Sequence, residues 1–351
     1  MAIYTLDKLT KDQLQAFVDG LAEGENKRVY EDLFTTKYTS GLSWESLESD
    51  GRVSIAAFGV EHNSDTPVGE RGDLITKIGK LPKIGLKLRM TNTDIHNYDA
   101  LLNSSDPDER AINEIVFGDA ASVYHAVKQT IEIAAMSGLS TGIADVNLSK
   151  GVRIKANYGI AAANKKGAAV AWTSTDTSTP LDDFETYKNK AAYAVMTSYE
   201  FGLFTKSKQV REAFAGFVGL SVGNIIPTYT RVNEFLRELS YPQIKLINPL
   251  VNVAAEDGTV SEVNPWSEGK VTFLKNEKAG QIQYTNTAYE KLGNLVRKEQ
   301  LVAKQGFVSI KRWINNEDSV EIFTKGEAVA IPVLTNTKGT YLMNVKATSW
   351  S

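Results

Sequence analysis

The chain has no cysteine, and its 351 residues include only three histidines, His62, His96 and His125, far apart in the sequence. Disulfides and thiolate metal sites are therefore excluded, and a histidine-rich metal centre is not expected. Neither sign of charge dominates: 39 Lys and Arg stand against 42 Asp and Glu, a formal net charge of −3. Such a balance does not suit a protein that grips nucleic acid tightly through its phosphates. No apolar run approaches membrane-spanning length. The opening residues, Met1-Ala2-Ile3-Tyr4-Thr5-Leu6-Asp7, have no basic segment leading into an apolar one, so a secretion signal is not expected and the chain reads as a soluble intracellular product. Walker-type phosphate loops, dinucleotide-binding glycine patterns and paired metal histidines are also missing. The length suggests two or three domains, or one large elaborate one, with ample material for a core.

The most regular stretch runs from Asp106 to Gly138. Asp106 is placed to cap the first amides, Pro107 suits the first helical position, and Glu109 follows three residues after the cap. Ile112, Val116, Ala120, Val123, Val127, Ile131 and Ala134 then recur at helical spacing, and Ser137-Gly138 is the expected stop. This predicts a rod of roughly 45 Å, long enough to act as the spine of a flat domain. His125 on that rod reads as a surface or interface residue.

Around the spine the pattern is α+β. A short amphipathic helix is expected over residues 5–23, with Leu9, Leu14, Phe17, Val18 and Leu21 as its apolar side. The first 45 or so residues hold too little to form a core and are expected to lie on the body or on a neighbouring subunit. From Arg52 the sequence suggests a two-stranded excursion, with Val53–Val60 outward, Leu86–Met90 returning, and a tip at His62–Asp73 rich in turn formers. Two strands alone are marginal in water and their edges invite pairing, which favours an arm reaching over a partner. Beyond the spine, Val152–Tyr158 alternates as a strand and residues 173–180 read as a low-complexity linker. Helices are expected over Leu181–Thr197, Ser207–Phe217 and Arg231–Leu239. Strands are expected at Ile244–Ile247, Leu250–Ala255, Val260–Val263, 270–275 and 281–285. Val320–Leu334 and Tyr341–Lys346 are expected to pair around a turn at Asn336–Gly339.

Chemical motifs do not survive inspection. Gly138-Leu139-Ser140-Thr141-Gly142 spells the hydrolase nucleophile pattern, but it follows a helix, whereas that chemistry needs strand, turn, then helix. Arg71-Gly72-Asp73 is a coincidence of three letters. The acids Asp182-Asp183 and Asp106/Asp108 read as helix-start residues opposite the backbone dipole. Lys165-Lys166 reads as a solvated turn. Trp44, Trp172, Trp266, Trp313 and Trp350 are too dispersed for a sugar platform and are expected to anchor cores or interfaces. No catalytic, cofactor-binding or metal-binding residue is expected.

Three stretches carry a family resemblance. They are Leu33-Phe34-Thr35-Thr36-Lys37 with Gly41-Leu42-Ser43-Trp44-Glu45; Thr66-Pro67-Val68-Gly69-Glu70-Arg71-Gly72; and Glu109-Arg110-Ala111-Ile112 opening the long helix, followed by Val152–Gly159. Together with the order of elements, they make the chain resemble tailed-bacteriophage major capsid proteins of the lambda capsid E branch. The resemblance implies the Hong Kong 97 capsid fold. It implies an amino-terminal arm at 1–48, an extended loop at 49–100, and a peripheral domain at 101–175 and 285–351 with spine helix 106–138. It also implies an axial domain at 176–284. A protein of this kind self-assembles into pentamers and hexamers of an icosahedral head around double-stranded DNA, in the virion, after assembly in the host cytoplasm. The absence of a long charged helical extension at the amino terminus points to a separate scaffolding protein, with a portal and a decoration protein as further partners. Some relatives cross-link a loop lysine; Lys77, Lys80 and Lys83 read instead as solubilising edge charges. The alternatives are an encapsulin-like nanocompartment shell, another virion structural protein such as a tail tube, and an enzyme whose only support is the serine pattern already set aside.

Overall fold

A computed structural model describes residues 6, 9–24, 27–49, 74–104, 108–146, 153–219, 221, 227–254, 259–291, 300–315 and 320–350. The amino-terminal part comprises α1 (Lys11–Gly24), α2 (Val29–Leu33), β1 (Phe34–Tyr38) and β2 (Ser43–Ser49). Next come β3 (Leu74–Lys80), β4 (Lys83–Met90), α3 (Asn92–Leu102) and the long α4 (Glu109–Thr141). After α4 the chain forms β5 (Ile143–Val146), β6 (Ile154–Asn157), β7 (Lys165–Gly167), α5 (Pro180–Tyr187), β8 (Tyr193–Thr197), α6 (Ser198–Lys206), α7 (Lys208–Val218) and α8 (Tyr229–Glu238). The remainder is β9 (Gln243–Ile247), β10 (Val251–Ala254), β11 (Val260–Val263), β12 (Lys270–Leu274), β13 (Gly280–Thr285), α9 (Ala288–Lys291), β14 (Leu301–Gln305), β15 (Val308–Asn315), β16 (Glu321–Leu334) and β17 (Thr340–Asn344).

The spine is present as α4, 33 residues or roughly 50 Å. All seven stripe residues from Ile112 to Ala134 are buried. Its ends differ from the sequence reading. Asp106 and Pro107 lie outside the described residues, and the capping carboxylate is that of Asp108, which accepts from the Arg110 and Ala111 amides at 3.0 and 3.1 Å. At the other end the helix runs through Gly138 to Thr141. Gly138 is small for packing rather than for stopping: a Cβ there would sit 2.6 Å from the Tyr158 ring. The stop is Gly142, left-handed at φ 80°, whose N–H donates to the Gly138 carbonyl at 2.9 Å.

Two sheets organise the chain. The first runs β1-β13-β16-β15-β14, and β4 adds to β16 antiparallel from Met90↔Ile322 to Lys83↔Val329. The spine lies across one face of this sheet, close enough that a Cβ on Gly326 of β16 would meet the Val123 carbonyl oxygen at 2.7 Å. The second sheet runs β7-β17-β12-β8-β9 and is packed by α5 to α8 through an aromatic core. Phe184 there lies 5.0 Å from Phe204 and Tyr187 stacks on Phe273 at 4.1 Å, ring centre to ring centre.

Several sequence expectations are corrected. Leu86–Met90 is a strand, as read, but as part of β4 it pairs with β16. Within the described residues the separate two-stranded ladder is β2 with β3, from Ser43↔Lys80 to Ser49↔Leu74. Val53–Val60 and the tip His62–Asp73 lie outside the described residues, as do Thr5, Asp7 and Lys8 of the first predicted helix. The expected helix Leu181–Thr197 stops at Tyr187. Tyr193–Thr197 is strand β8, where Ala194, Val195 and Met196 are all buried between layers. A continuous apolar run of this length does not distinguish a buried strand from a helix by spacing alone. Val320–Leu334 and Tyr341–Lys346 do not pair: β16 stays in the first sheet while β17 crosses to the second, between β12 and β7. Residues 173–180 are a packed strap. Ser178 is buried, its hydroxyl donates to Ser207 Oγ at 3.1 Å, and the Lys208 amide donates to the Thr175 carbonyl at 2.7 Å.

Candidate assembly surfaces

The residues singled out for chemistry turn out to hold the fold together. Ser140 is fully buried inside α4; its hydroxyl donates to the Met136 carbonyl at 2.8 Å and accepts from the Ser267 amide at 3.2 Å. Asp183 is buried too, accepting from Trp172 Nε1 at 2.8 Å and from the Ala169 amide at 3.0 Å. Burial lifts its carboxyl above the usual range, and those two donors oppose the lift. Asp182, beside it, accepts from Gln209 Nε2 at 2.8 Å. Trp44, Trp172 and Trp266 are buried anchors, as the sequence suggested. Lys165 and Lys270 both lie over the Trp350 ring, and burial lowers the pKa of each. Lys83 pairs with Glu327 at 3.2 Å, and that contact raises its pKa. Arg71, Gly72 and Asp73 lie outside the described residues. Among the described residues no group of three or more His, Asp or Glu side chains is placed to hold a metal ion.

What remains are surfaces built for contact. The amino-terminal elements lie along the body as a strap. On the arm, β1 pairs parallel with β13 from Phe34↔Gly280 to Tyr38↔Tyr284, adding an outer strand to the first sheet. The Gln15 side chain of α1 accepts from the Lys304 amide at 2.9 Å and donates to its carbonyl at 2.8 Å, so it blocks the opposite sheet edge at β14. The α2 turn is pinned to the spine by charge. Lys128 of α4, 8 % exposed in its side chain, meets Glu31 at 2.8 Å, and Glu132 accepts the Tyr30 amide at 3.1 Å. Burial raises the Glu132 carboxyl to about 7; the Tyr30 amide and Arg28 oppose that rise and Glu31 adds to it. A cleft of about 340 Å³ opens beside this joint, lined by Tyr30, Glu31, Tyr124, Lys128 and Phe307 among others. Sequence reasoning missed the joint. Lys128 and Glu132 are four residues apart beside the stripe positions Val127 and Ile131, and charges at those places read as a solvated face until α2 covers them.

Large apolar side chains remain exposed in separate places. Tyr38 and Leu42 lie where β1 leads to β2; Leu250, Val260 and Val263 surround the β10–β11 hairpin; Ile314 and Val320 flank the end of the β15–β16 pair. Tyr199, Phe217 and Tyr229 are exposed on α6, α7 and α8 beside the second sheet. The β2–β3 ladder comprises seven cross-strand pairs, with buried Trp44 packed against Gly79, where a Cβ would come within 2.3 Å of Trp44 Nε1. No helix among the described residues is long and apolar enough to cross a membrane.

A long helix laid across one mixed sheet, a second sheet with its own helices, an amino-terminal strap and a separate two-stranded ladder together make the Hong Kong 97 capsid fold. The same fold is found in a capsid protein, described as putative, of a prophage of Escherichia coli CFT073, at TM-score 0.58 and 14% identity over 96% of this chain and 99% of that one. A phage-related protein from Bordetella bronchiseptica RB50 is similar at TM-score 0.49 and 12% identity, over 94% of this chain and 96% of that one. The capsid of Myoviridae phage XM1 is similar at TM-score 0.44 and 10% identity, over 91% and 92%. No curated protein matches the chain. The family described as phage major capsid protein E matches residues 30–345, and the chain belongs to that family. Its place is therefore the virion capsid and its role is structural, which fits the burial of Ser140 and Asp183 within the fold.

Proposed function

We propose that copies of this chain form the pentamers and hexamers of an icosahedral head that encloses double-stranded DNA without reading its sequence. The observation that carries this reading is the β2–β3 ladder: a two-stranded sheet separate from the two larger ones, marginal by itself, whose edges invite pairing with another chain. The exposed apolar groups on the arm, on the β10–β11 hairpin and on α6, α7 and α8 supply further contact area, as obligate assemblies require. In this reading residues 1–48 act as the arm and 49–100 as the extended loop. Residues 101–175 and 285–351 act as the peripheral part, and 176–284 turn toward the symmetry axes. A separate scaffolding protein directs closure, a portal occupies one vertex, and a decoration protein covers the outside. The near-neutral charge suits a container whose genome must later leave. Expression of the chain alone and with its neighbouring gene products, followed by negative-stain imaging, tests the reading. Closed particles with nuclease-resistant DNA after infection are expected, whereas particles filled with an enzyme cargo would favour a nanocompartment instead.

A further inference from the structure

A groove of about 960 Å³ lies between two walls that are far apart in sequence. One wall is β6 with the residues that flank it. The other is the turn from β3 into β4, at Gly79, Lys80, Pro82 and Lys83. Ile154, Lys155, Ala156 and Asn157 all line the groove. Successive residues of a strand point to opposite faces, so an unbroken run of this kind means that the groove follows the edge of β6. That edge is open: β6 pairs with β5 on one side, and among the described residues no strand pairs with it on the other. A strand edge carries a row of backbone donors and acceptors that a further strand can satisfy.

The side chains around the edge define what that strand must be. Lys80, Lys83, Arg153 and Lys155 line the groove, and among the described residues that line it none is an acid. Lys83 pairs with Glu327, and Arg153 with Asp145, which also faces Lys155 across the β5–β6 pair. Lys83 and Arg153 still keep more than half of their side-chain surface open. The apolar part of the lining comes from Trp44, Ile154, Ala156 and Ile331. An acidic strand with small apolar side chains suits both parts.

The chain carries such a strand elsewhere. β11 is exposed at all four of its residues, with Val260 63 % and Val263 39 % open. Among the described residues it pairs with β10 alone, so its outer edge is open as well. Residues 250–264 hold three acids, Glu256, Asp257 and Glu262, and no Lys or Arg. β11 and β6 are each four residues long.

We infer that β11 of one copy lies in this groove as a strand beside β6 of a second copy, with Glu262 among Lys80, Arg153 and Lys155. The inference rests on the shell reading above and adds a joint between copies, formed by two different surfaces of the chain. A head-to-tail contact of that kind closes into rings when the rotation between copies permits. Backbone pairing supplies the affinity, and the charges set partner and register.

Carbodiimide cross-linking of assembled full-length protein, prepared from a mixture of ¹⁴N and ¹⁵N subunits, reads the contact. Mixed-isotope links from Glu262 to Lys80 or Lys155 are expected. Their absence, or links of Glu262 confined to one copy, overturns the inference while the particles themselves uphold the shell reading. Failure of the wild-type chain to form particles overturns both. Glu262→Lys, opposite the neutral Asn252, is expected to lower particle yield roughly tenfold while leaving the unfolding temperature of the isolated subunit unchanged. Adding Lys80→Glu, opposite Ser43, is expected to restore the yield, a rescue that a folding defect does not show. Wild-type yield from Glu262→Lys, or no rescue by the second change, overturns the inference.

Discussion

The Glu132 carboxylate of the spine accepts the backbone N–H of Tyr30 at 3.1 Å, joining the arm to the longest helix of the chain. Glu132 is 2 % exposed, and burial lifts its carboxyl from the ordinary value to about 7. A group raised in the docked state contributes stability fully below its ordinary range and loses that contribution as pH rises through about 7. Raising the pH from 5 to 8 is therefore expected to weaken the joint by up to about 3 kcal/mol. Hydrogen exchange of the amides over Val29–Leu33 measures it. Glu132→Gln keeps an acceptor for Tyr30 and is expected to flatten the pH dependence; an unchanged profile in that variant places the titration elsewhere.

The packing of β16 on the spine gives a second prediction. Gly326→Ala puts a methyl 2.7 Å from the Val123 carbonyl oxygen and is expected to cost about 1–3 kcal/mol, read as a lower denaturant midpoint. Gly118→Ala, on the same helix, meets nothing within 4 Å and is expected to stabilise by up to about 1 kcal/mol. Opposite signs are the expected outcome; equal effects would contradict the close approach.

Asp183 ties α5 to the segment that precedes residues 173–180, through Trp172 Nε1 and the Ala169 amide. Asp183→Ala leaves both donors buried and is expected to cost about 3 kcal/mol, visible as a fall in unfolding temperature and a change in tryptophan fluorescence.

Ser140→Ala removes the acceptor for the Ser267 amide and is expected to cost about 1–2 kcal/mol while particle formation persists. Loss of a measurable hydrolytic activity in that variant would contradict the structural role assigned here.

The spine was legible because its stripe from Ile112 to Ala134 is long enough to fix a period, and its burial follows that stripe. Its ends were not, because Asp106 and Asp108 are equally good caps on paper and Gly138 and Gly142 equally good stops. Tertiary contacts decide: Tyr158 occupies the space beside Gly138 and forces it small. Tyr193–Thr197 was misread because β8 is covered on both faces, which erases the alternation that marks a strand. The crossing of β17 to the second sheet was invisible because Asn336–Gly339 reads as a hairpin turn whichever partner follows. The Glu31–Lys128–Glu132 joint depends on residues far apart in sequence that meet only after α2 docks. The groove beside β6 joins strands far apart in sequence, which local pattern does not supply.

Sedimentation of the purified full-length chain, with electron microscopy of each fraction, tests the central claim most directly. The account predicts closed isometric particles in which every copy contributes its β2–β3 ladder to a neighbour. A chain that stays a monomer across salt, pH and scaffold conditions, with the ladder folded onto its own body, would contradict it.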